Sequence, residues 1–326
     1  MPALKFFDIL AQAKGKRVAV VGDYMLDRHL VGSVRRISPE APVPVVEIED
    51  ERSSLGGAGN VVANLASLGI QPVAFGVSGK DKASELMREH LSGFGCDCGG
   101  LLELADRKTT EKIRVIAHDQ HIVRVDRETT ALLETQNTKS LLGSFESFLS
   151  SLDGVILQDY NKGVLTSAVI EGALKMAGRR GLPVYVDPKF DNFLLYQNVH
   201  LFKPNLRETE RALGLKIEDD ESLSVALERL QKELSPDVLM VTRGERGMTI
   251  CTREKTTSIP TNARDVADVS GAGDTVISTF VACELGGADV VQAATLANIA
   301  AGIVCEQVGV VPIDSNRLAS AYDRFE

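Results

Sequence analysis

The chain has 326 residues, 44% hydrophobic and 25% charged, a composition that supports a large packed core and excludes a disordered or fibrous protein. Its formal net charge is −9 with lysines and arginines scattered, so no basic stripe suits nucleic acid, and no run reaches the roughly 20 apolar residues of a membrane span. The N-terminal MPALKFFDILAQAKGKRVAVVGD carries lysines and Asp8 where a signal peptide would be apolar, which predicts a cytoplasmic protein with a small-molecule partner.

Strand-like and helix-like runs alternate along the chain. RVAVVGD (17–23) opens the series, followed by VPVVEIEDE (43–51), a helical segment over 58–68, PVAFGVSG (72–79) and a second helix over 84–91. EKIRVIAHD and HIVRVDRE (111–128, turning near 118–120) come next, then GVILQDY (154–160), a helix over 167–180, PVYVDPK (183–189), VHLFKPN (199–205), a helix over 222–234 and DVLMVTRG (237–244). Near-continuous apolar strands separated by helices predict an α/β fold whose parallel sheet is covered on both faces. Such sheets bind ligands beyond the carboxyl ends of their strands, which makes Asp23, Asp159, Asp187, Asn205 and Thr242 candidates.

The segments 43–51 and 111–128 alternate apolar and polar residues, as antiparallel strands solvated on one face do. They predict a small sheet acting as a lid, built from 30–54 and 109–127, on a single domain spanning 1–326. Its exposed edges suit a homodimer interface. Of five cysteines, the Cys96 and Cys98 pair has C-x-C rather than zinc spacing, and all five read as reduced structural thiols.

Two glycine-rich stretches fail as nucleotide loops. AFGVSGKD has Ala74 and Asp81 where a P-loop needs Gly and Ser or Thr, and GGAGNV has Val62 where a dinucleotide fingerprint needs its third glycine. In DVSGAGDTVISTF (268–280), by contrast, Gly271 and Gly273 free the backbone just before an apolar helical run. The helix N-terminus so formed favours an anion. Asp274 lies in the first turn; it can serve the helix dipole, or act as the base beside a phosphoryl site.

DVSGAGD resembles the C-terminal signature of the ribokinase-like sugar kinases, and LGGAGNVVANLASLG (55–69) is similar to their N-terminal signature. The resemblance implies a ribokinase-like three-layer sandwich with a mostly parallel central sheet and a small β-strand lid. It also implies ATP as co-substrate and Mg2+ as cofactor. By the same resemblance Asp274 is the general base, and Gly271, Ala272 and Gly273 form the anion hole. Asn205 and Glu208 match the N-x-x-E element that acts through magnesium-bound water, although Asn205 also fits a plain helix cap. Thr242 and Gly244 fall where the nucleotide lies, and Asn298 where the adenine pocket wall stands; a satisfied core side chain also accounts for Asn298.

For the acceptor, Asp23 and Asp27 suit sugar hydroxyls, Gly56 and Gly57 permit close approach, and Asn60 donates and accepts; a surface contact also accounts for Asp27. RISPEAPVPVV (36–46), GDYMLD, LQDYNKGVLT (157–166) and VDPK look like the branch that phosphorylates D-glycero-β-D-manno-heptose 7-phosphate on its anomeric hydroxyl. A phosphorylated sugar requires cations, for which Lys162 and Arg124 lead, with Lys189 beyond Asp187 and Lys112 and Arg114 in the lid. Gly59 and Phe190 depart from the branch, where alanine and glycine are expected. The chain ends at Glu326, which implies a stand-alone kinase served by a separate adenylyltransferase.

Overall fold

The structure is a computed structural model that describes residues 4–118, 120–261 and 266–324. Residue 119 in the expected 118–120 turn, and the last two residues of the chain, lie outside the described residues. Thirteen strands run in chain order: β1 (Arg17–Gly22), β2 (Tyr24–Ile37), β3 (Pro44–Gly57), β4 (Gln71–Gly79), β5 (Asp97–Leu104), β6 (Thr110–Ala117) and β7 (Gln120–Arg127), then β8 (Gly154–Gln158), β9 (Val184–Asp187), β10 (Leu201–Phe202), β11 (Val238–Thr242), β12 (Met248–Thr252) and β13 (Thr256–Ile259).

Nine of them form one sheet in the order β13-β12-β11-β10-β9-β8-β1-β4-β5. It is parallel from β5 to β11, and β12 and β13 add an antiparallel edge. Strand alternation explains the layers. In β1, Val18 and Val20 join one apolar cluster with the helices Ala58–Ser67, Ala272–Leu285 and Val290–Cys305. Ala19 and Val21 join another, with the helices Thr135–Phe148, Ser167–Arg180 and Asp220–Leu234. A strand buried on both faces cannot alternate apolar with polar, which is why these segments read as continuous apolar runs.

The second sheet has the order β3-β2-β6-β7. The expectation of antiparallel strands holds for β2 with β3 and for β6 with β7, but β2 and β6 pair in parallel, so the sheet is mixed. The reason is connectivity: β2 continues directly from β1 and β6 enters after β5, a long crossover that permits parallel pairing. The β2–β3 ladder reaches Tyr24 opposite Gly57, so the Gly-Gly stretch is the end of a strand, where β3 turns straight into the helix Ala58–Ser67. Among the described residues no helix is long and apolar enough to cross a membrane.

Candidate active site

The parallel strands deliver polar residues to a common edge: Asp23 after β1, Gln158 to Tyr160 at β8, Asp187 ending β9, Lys203 after β10 and Thr242 ending β11. The helix Ala272–Leu285 begins there. Gly271 caps it at φ 78°, a left-handed conformation, and a Cβ on Gly271 would stand 2.6 Å from Asn60 Nδ2. Only glycine lets the turn approach Asn60 so closely. The helix is buried from Asp274 through Cys283, so its first-turn carboxylate is buried with it.

Asp274 is 3% exposed and accepts three side-chain hydrogen bonds: Asn60 Nδ2 at 2.8 Å on Oδ2, and Gln158 Nε2 at 2.9 Å and Tyr160 Oη at 2.8 Å on Oδ1. Burial, and then the Asp187 carboxylate, push its pKa up to about 6 against the pull of Asn60, Tyr160 and the Lys203 ammonium. Lys203, itself buried, pairs with Asp187 Oδ1 at 3.0 Å, while Gln158 Nε2 also reaches Asp187 Oδ2 at 3.1 Å. A basic carboxylate therefore stands at a helix N-terminus, where amides of the first turn have no intrahelical acceptor. Of the three amides expected to face an anion, that of Ala272 turns back toward the Val269 carbonyl at 3.3 Å. Gly273 lies beside Lys203 Nζ and Asp187: a Cβ there would meet them at 3.5 and 3.7 Å.

The nucleotide candidates meet around Asn205. Its side chain accepts from the Glu208 amide at 2.9 Å, and Glu208 Oε2 accepts from the Asn205 amide at 2.9 Å. This is a capping box, so the helix-start reading describes what the pair does to the chain. The other Glu208 oxygen binds Lys189 Nζ. Thr242 bridges Asn205 across β10 and β11, and Gly244 follows in a left-handed turn at φ 61°. Asn298 lies apart, buried, with its amide donating to the Pro260 carbonyl at 2.7 Å.

On the acceptor side, Asp23 is buried between β1 and β2. Its carboxylate receives the backbone amides of Tyr160 (2.8 Å), Lys162 (3.0 Å) and Val164 (3.2 Å), and so fastens the loop after β8. Burial, with Asp159, raises its pKa to about 6. Asp27, also buried, pairs with Arg114, and a Cβ on Gly56 would fall 2.3 Å from its Oδ2. Gly59 fits for a similar reason, since an alanine methyl would press on Leu55 at 3.1 Å. Phe190 is covered by the Arg211 guanidinium 3.3 Å from its ring centre.

The expected cations differ in what already holds them. Lys162 pairs with Glu128 at 2.8 Å, and Lys189 pairs with Glu208. Desolvation lowers the Lys189 pKa, yet Asp187 and Glu208 raise it overall. Arg124 is 58% exposed and bound to Asp126 at 2.8 Å. Lys112 is half-buried and forms no ion pair among the described residues; burial holds its pKa below the usual value, and its Nζ lies 5.7 Å from the Tyr160 ring centre.

Strand-end reasoning did not single out Gln158, Tyr160 or Lys203. A glutamine ending the apolar run GVILQ and a lysine after HLF were signals, because a buried strand tolerates polar side chains only where they have partners. Among the described residues no group of three or more His, Cys, Asp or Glu side chains could hold a metal ion.

Known proteins resemble this chain to different depths. The chain is 43% identical over 302 residues to the bifunctional protein HldE of Citrifermentans bemidjiense, covering 91% of this chain and 61% of that protein. The HldE of Rhodospirillum rubrum is 38% identical over 337 residues, with 100% of this chain and 65% of that one. The chain thus spans less than two thirds of these relatives. Phosphofructokinase-2 from Escherichia coli in complex with potassium has TM-score 0.77 at 16% identity, over 95% of this chain and 100% of that one. Arabidopsis thaliana ribokinase with ribose and ATP has TM-score 0.72 at 18% identity, over 94% and 99%. At such identities the likeness is one of fold, a ribokinase-like α/β architecture. The pattern of the pfkB family carbohydrate kinases matches residues 16–316, and the chain belongs to that family, an ATP-dependent sugar phosphotransferase.

Proposed function

We propose that this kinase transfers the γ-phosphoryl group of ATP to the anomeric hydroxyl of D-glycero-β-D-manno-heptose 7-phosphate, giving heptose 1,7-bisphosphate for ADP-heptose and lipopolysaccharide core synthesis. One observation carries the phosphorylated acceptor: Lys112 is half-buried and forms no ion pair among the described residues, in the field of Asp27, Lys162, Arg114 and Asp126. An ammonium that makes no ion pair, with Lys162 and Arg114 beside it, is suited to a dianion. The heptose itself is supported by the resemblance of 36–46, 157–166 and VDPK to that branch and by the similarity to the HldE proteins.

In the reaction, Asp274 accepts the proton of the anomeric hydroxyl while that oxygen bonds to the γ-phosphorus. The bond from γ-phosphorus to the bridging oxygen breaks, and its electron pair leaves with ADP. The Gly271 to Gly273 turn, the helix N-terminus and Lys203 face the charge on the phosphoryl oxygens. Because the transition state is largely dissociative, placement of these groups matters more than the strength of the base. The donor set fits Mg2+ held through its own water: Asn205 and Glu208 present one carboxylate, already bound to Lys189 and an amide, and no cage. When bound, the ion neutralises charge on the triphosphate.

The mixed sheet serves as a lid in this reading. The face bearing Asp27, Lys112 and Arg114 meets the strand ends, where Lys112 lies over Tyr160 and Arg114 lowers the pKa of Asp268. Exposed Val123 and Val125 on the other face, and the free edges β3 and β7, suit a second copy of the chain. Hydrolysis of the 7-phosphate would leave the 1-phosphate, which a separate cytoplasmic adenylyltransferase would convert to ADP-heptose. The test is ATP consumption with heptose 7-phosphate, fructose 6-phosphate and ribose. The heptose should be preferred, and a higher kcat/KM for either alternative overturns the assignment.

A further inference from the structure

The two carboxylate oxygens of Asp274 have unequal surroundings. Oδ1 accepts from Gln158 Nε2 at 2.9 Å and Tyr160 Oη at 2.8 Å, whereas Oδ2 accepts from Asn60 Nδ2 alone, at 2.8 Å, among the described residues. A carboxylate oxygen offers two in-plane acceptor positions, so Oδ1 is filled and Oδ2 keeps one open. We propose that Oδ2 is the atom that takes the acceptor proton, and that Tyr160, together with Gln158, is a positioning residue that commits the carboxylate to this orientation. The inference rests on Asp274 being the base.

Each donor is itself fixed. Asn64 Nδ2 donates to the Asn60 carbonyl at 2.9 Å and to Asn60 Oδ1 at 3.1 Å, which leaves the Asn60 amide nitrogen to face Asp274. Asn64 Oδ1 is held in turn by the Ile313 amide at 3.0 Å and the Thr275 hydroxyl at 3.3 Å, so neither amide reverses without orphaning buried groups. Gln158 divides its amide nitrogen between Asp274 and Asp187, and its Oε1 is buried without a partner among the described residues. An amide turned the other way would set that oxygen against two carboxylates.

Tyr160 is held by its backbone amide on Asp23 at 2.8 Å, and its ring has Lys189 Nζ 5.2 Å and Lys112 Nζ 5.7 Å from its centre. The two ammonium groups belong to different sides of the site. Lys189 is bound to Glu208, beside the nucleotide candidates, and Lys112 stands in the lid sheet. Tyr160 therefore joins the acceptor side, the nucleotide side and the base through one side chain. Burial keeps its phenol protonated far above its usual range, so it remains a neutral donor while Asp274 titrates. The charged groups around Asp274 are Asp187, Lys203 and Lys189, and none is removed by changing Tyr160 to phenylalanine.

The experiment uses the full chain with ATP and whichever acceptor of the panel turns over fastest, so that acceptor identity does not enter. Tyr160→Phe keeps the ring between the lysines and deletes one donor to Oδ1. The expected result is a fall in kcat of about tenfold with the KM for ATP unchanged, because a hydrogen bond to a charged group is lost. The acidic limb of the kcat/KM profile should move to higher pH, since the lost bond favoured the ionised carboxylate. Gln158→Met should act in the same direction, and the double variant should lose less than the product of the two, as residues sharing one oxygen do. An unchanged kcat and an unmoved limb in Tyr160→Phe overturn the proposal, as does a loss of melting temperature and active fraction with the limb in place. Asp274→Asn is run beside them. If it retains turnover, the base assignment fails; if it loses turnover while Tyr160→Phe and Gln158→Met do not, only the positioning role fails.

Discussion

Replacing Asp274 with asparagine should make the unliganded protein more stable at alkaline pH while removing its activity. The carboxylate stands at about 6 against an ordinary 3.8, because burial and Asp187 oppose its ionisation. A displacement of about two units, at about 1.4 kcal/mol each, means that holding the ionised group in the fold costs about 3 kcal/mol. Asparagine removes that cost and introduces a smaller one. If its oxygen keeps Gln158 and Tyr160, its amide nitrogen faces Asn60 Nδ2, and Asn60 cannot reverse against Asn64. One lost hydrogen bond with an orphaned donor costs about 1–2 kcal/mol, so the net gain at pH 8 is about 1–2 kcal/mol.

The sign of the pH dependence follows from proton binding. The folded state holds the Asp274 proton more tightly than the unfolded chain, so wild-type stability from this group is fully present below about 3.8 and is lost as pH rises through about 6. The variant lacks this dependence. At pH 5 the wild-type cost has fallen to about half, and the variant's advantage should have vanished. Thermal melts from pH 8 to pH 5, without nucleotide, measure the difference, and turnover should fall at least ~100-fold, the low end for a positioned acid–base group. A variant less stable than wild type at pH 8, or a difference that does not change with pH, would refute the account of Asp274 as a carboxylate ionised at the fold's expense.

Other substitutions test the rest of the site. Gly271→Ala places a methyl group in a left-handed turn and 2.6 Å from Asn60 Nδ2; activity should fall further than the roughly 1 kcal/mol of backbone strain would lower stability, read by kcat beside melting temperature. Asn205→Ala breaks the capping box and should cost about 1 kcal/mol; a KM for ATP that does not rise with it would confine the pair to capping. Lys112→Met keeps the aliphatic stem over Tyr160 and should raise KM for a phosphorylated acceptor about 10- to 100-fold while leaving ribose unaffected.

The main sheet was legible because its strands are buried on both faces: GVILQ and DVLMV can be little else, and helices with apolar spacing separate them. β2 was hidden. Its sequence YMLDRHLVGSVRRI mixes charge with apolar residues, and its strand character comes from pairing with β3 on one side and β6 on the other, which no local pattern reveals. The short β12 and β13 were also missed, being stabilised by the edge they extend. At the site, the glycines and Asp274 could be read because backbone conformation and helix position constrain residue type locally. Which cation is free could not. Lys162, Lys189 and Lys112 are alike in sequence, and only the fold brings Glu128 to the first and Glu208 to the second while leaving the third without an ion pair among the described residues.

Asp23 and Asp274 show how far a perturbed carboxylate identifies a base. Both are buried, both are raised to about 6, and both accept three hydrogen bonds. Stability cannot separate them, since Asp23→Asn likewise removes about 3 kcal/mol of ionisation cost and leaves an amide nitrogen against at least one backbone N–H. The donors differ. Those of Asp23 are backbone amides of one loop, two on Oδ2 and one on Oδ1, so the carboxylate closes a turn. Those of Asp274 divide between its oxygens in the same two-and-one way, but they are side chains from two distant segments, the helix Ala58–Ser67 and the chain leaving β8, so this carboxylate closes no local turn. Asp23→Asn should therefore reduce kcat less than tenfold, through the placement of Tyr160, against at least ~100-fold for Asp274→Asn. Equal losses in the two variants, measured with the same acceptor at pH 8, would mean that the pattern of donors does not distinguish a structural carboxylate from a reacting one.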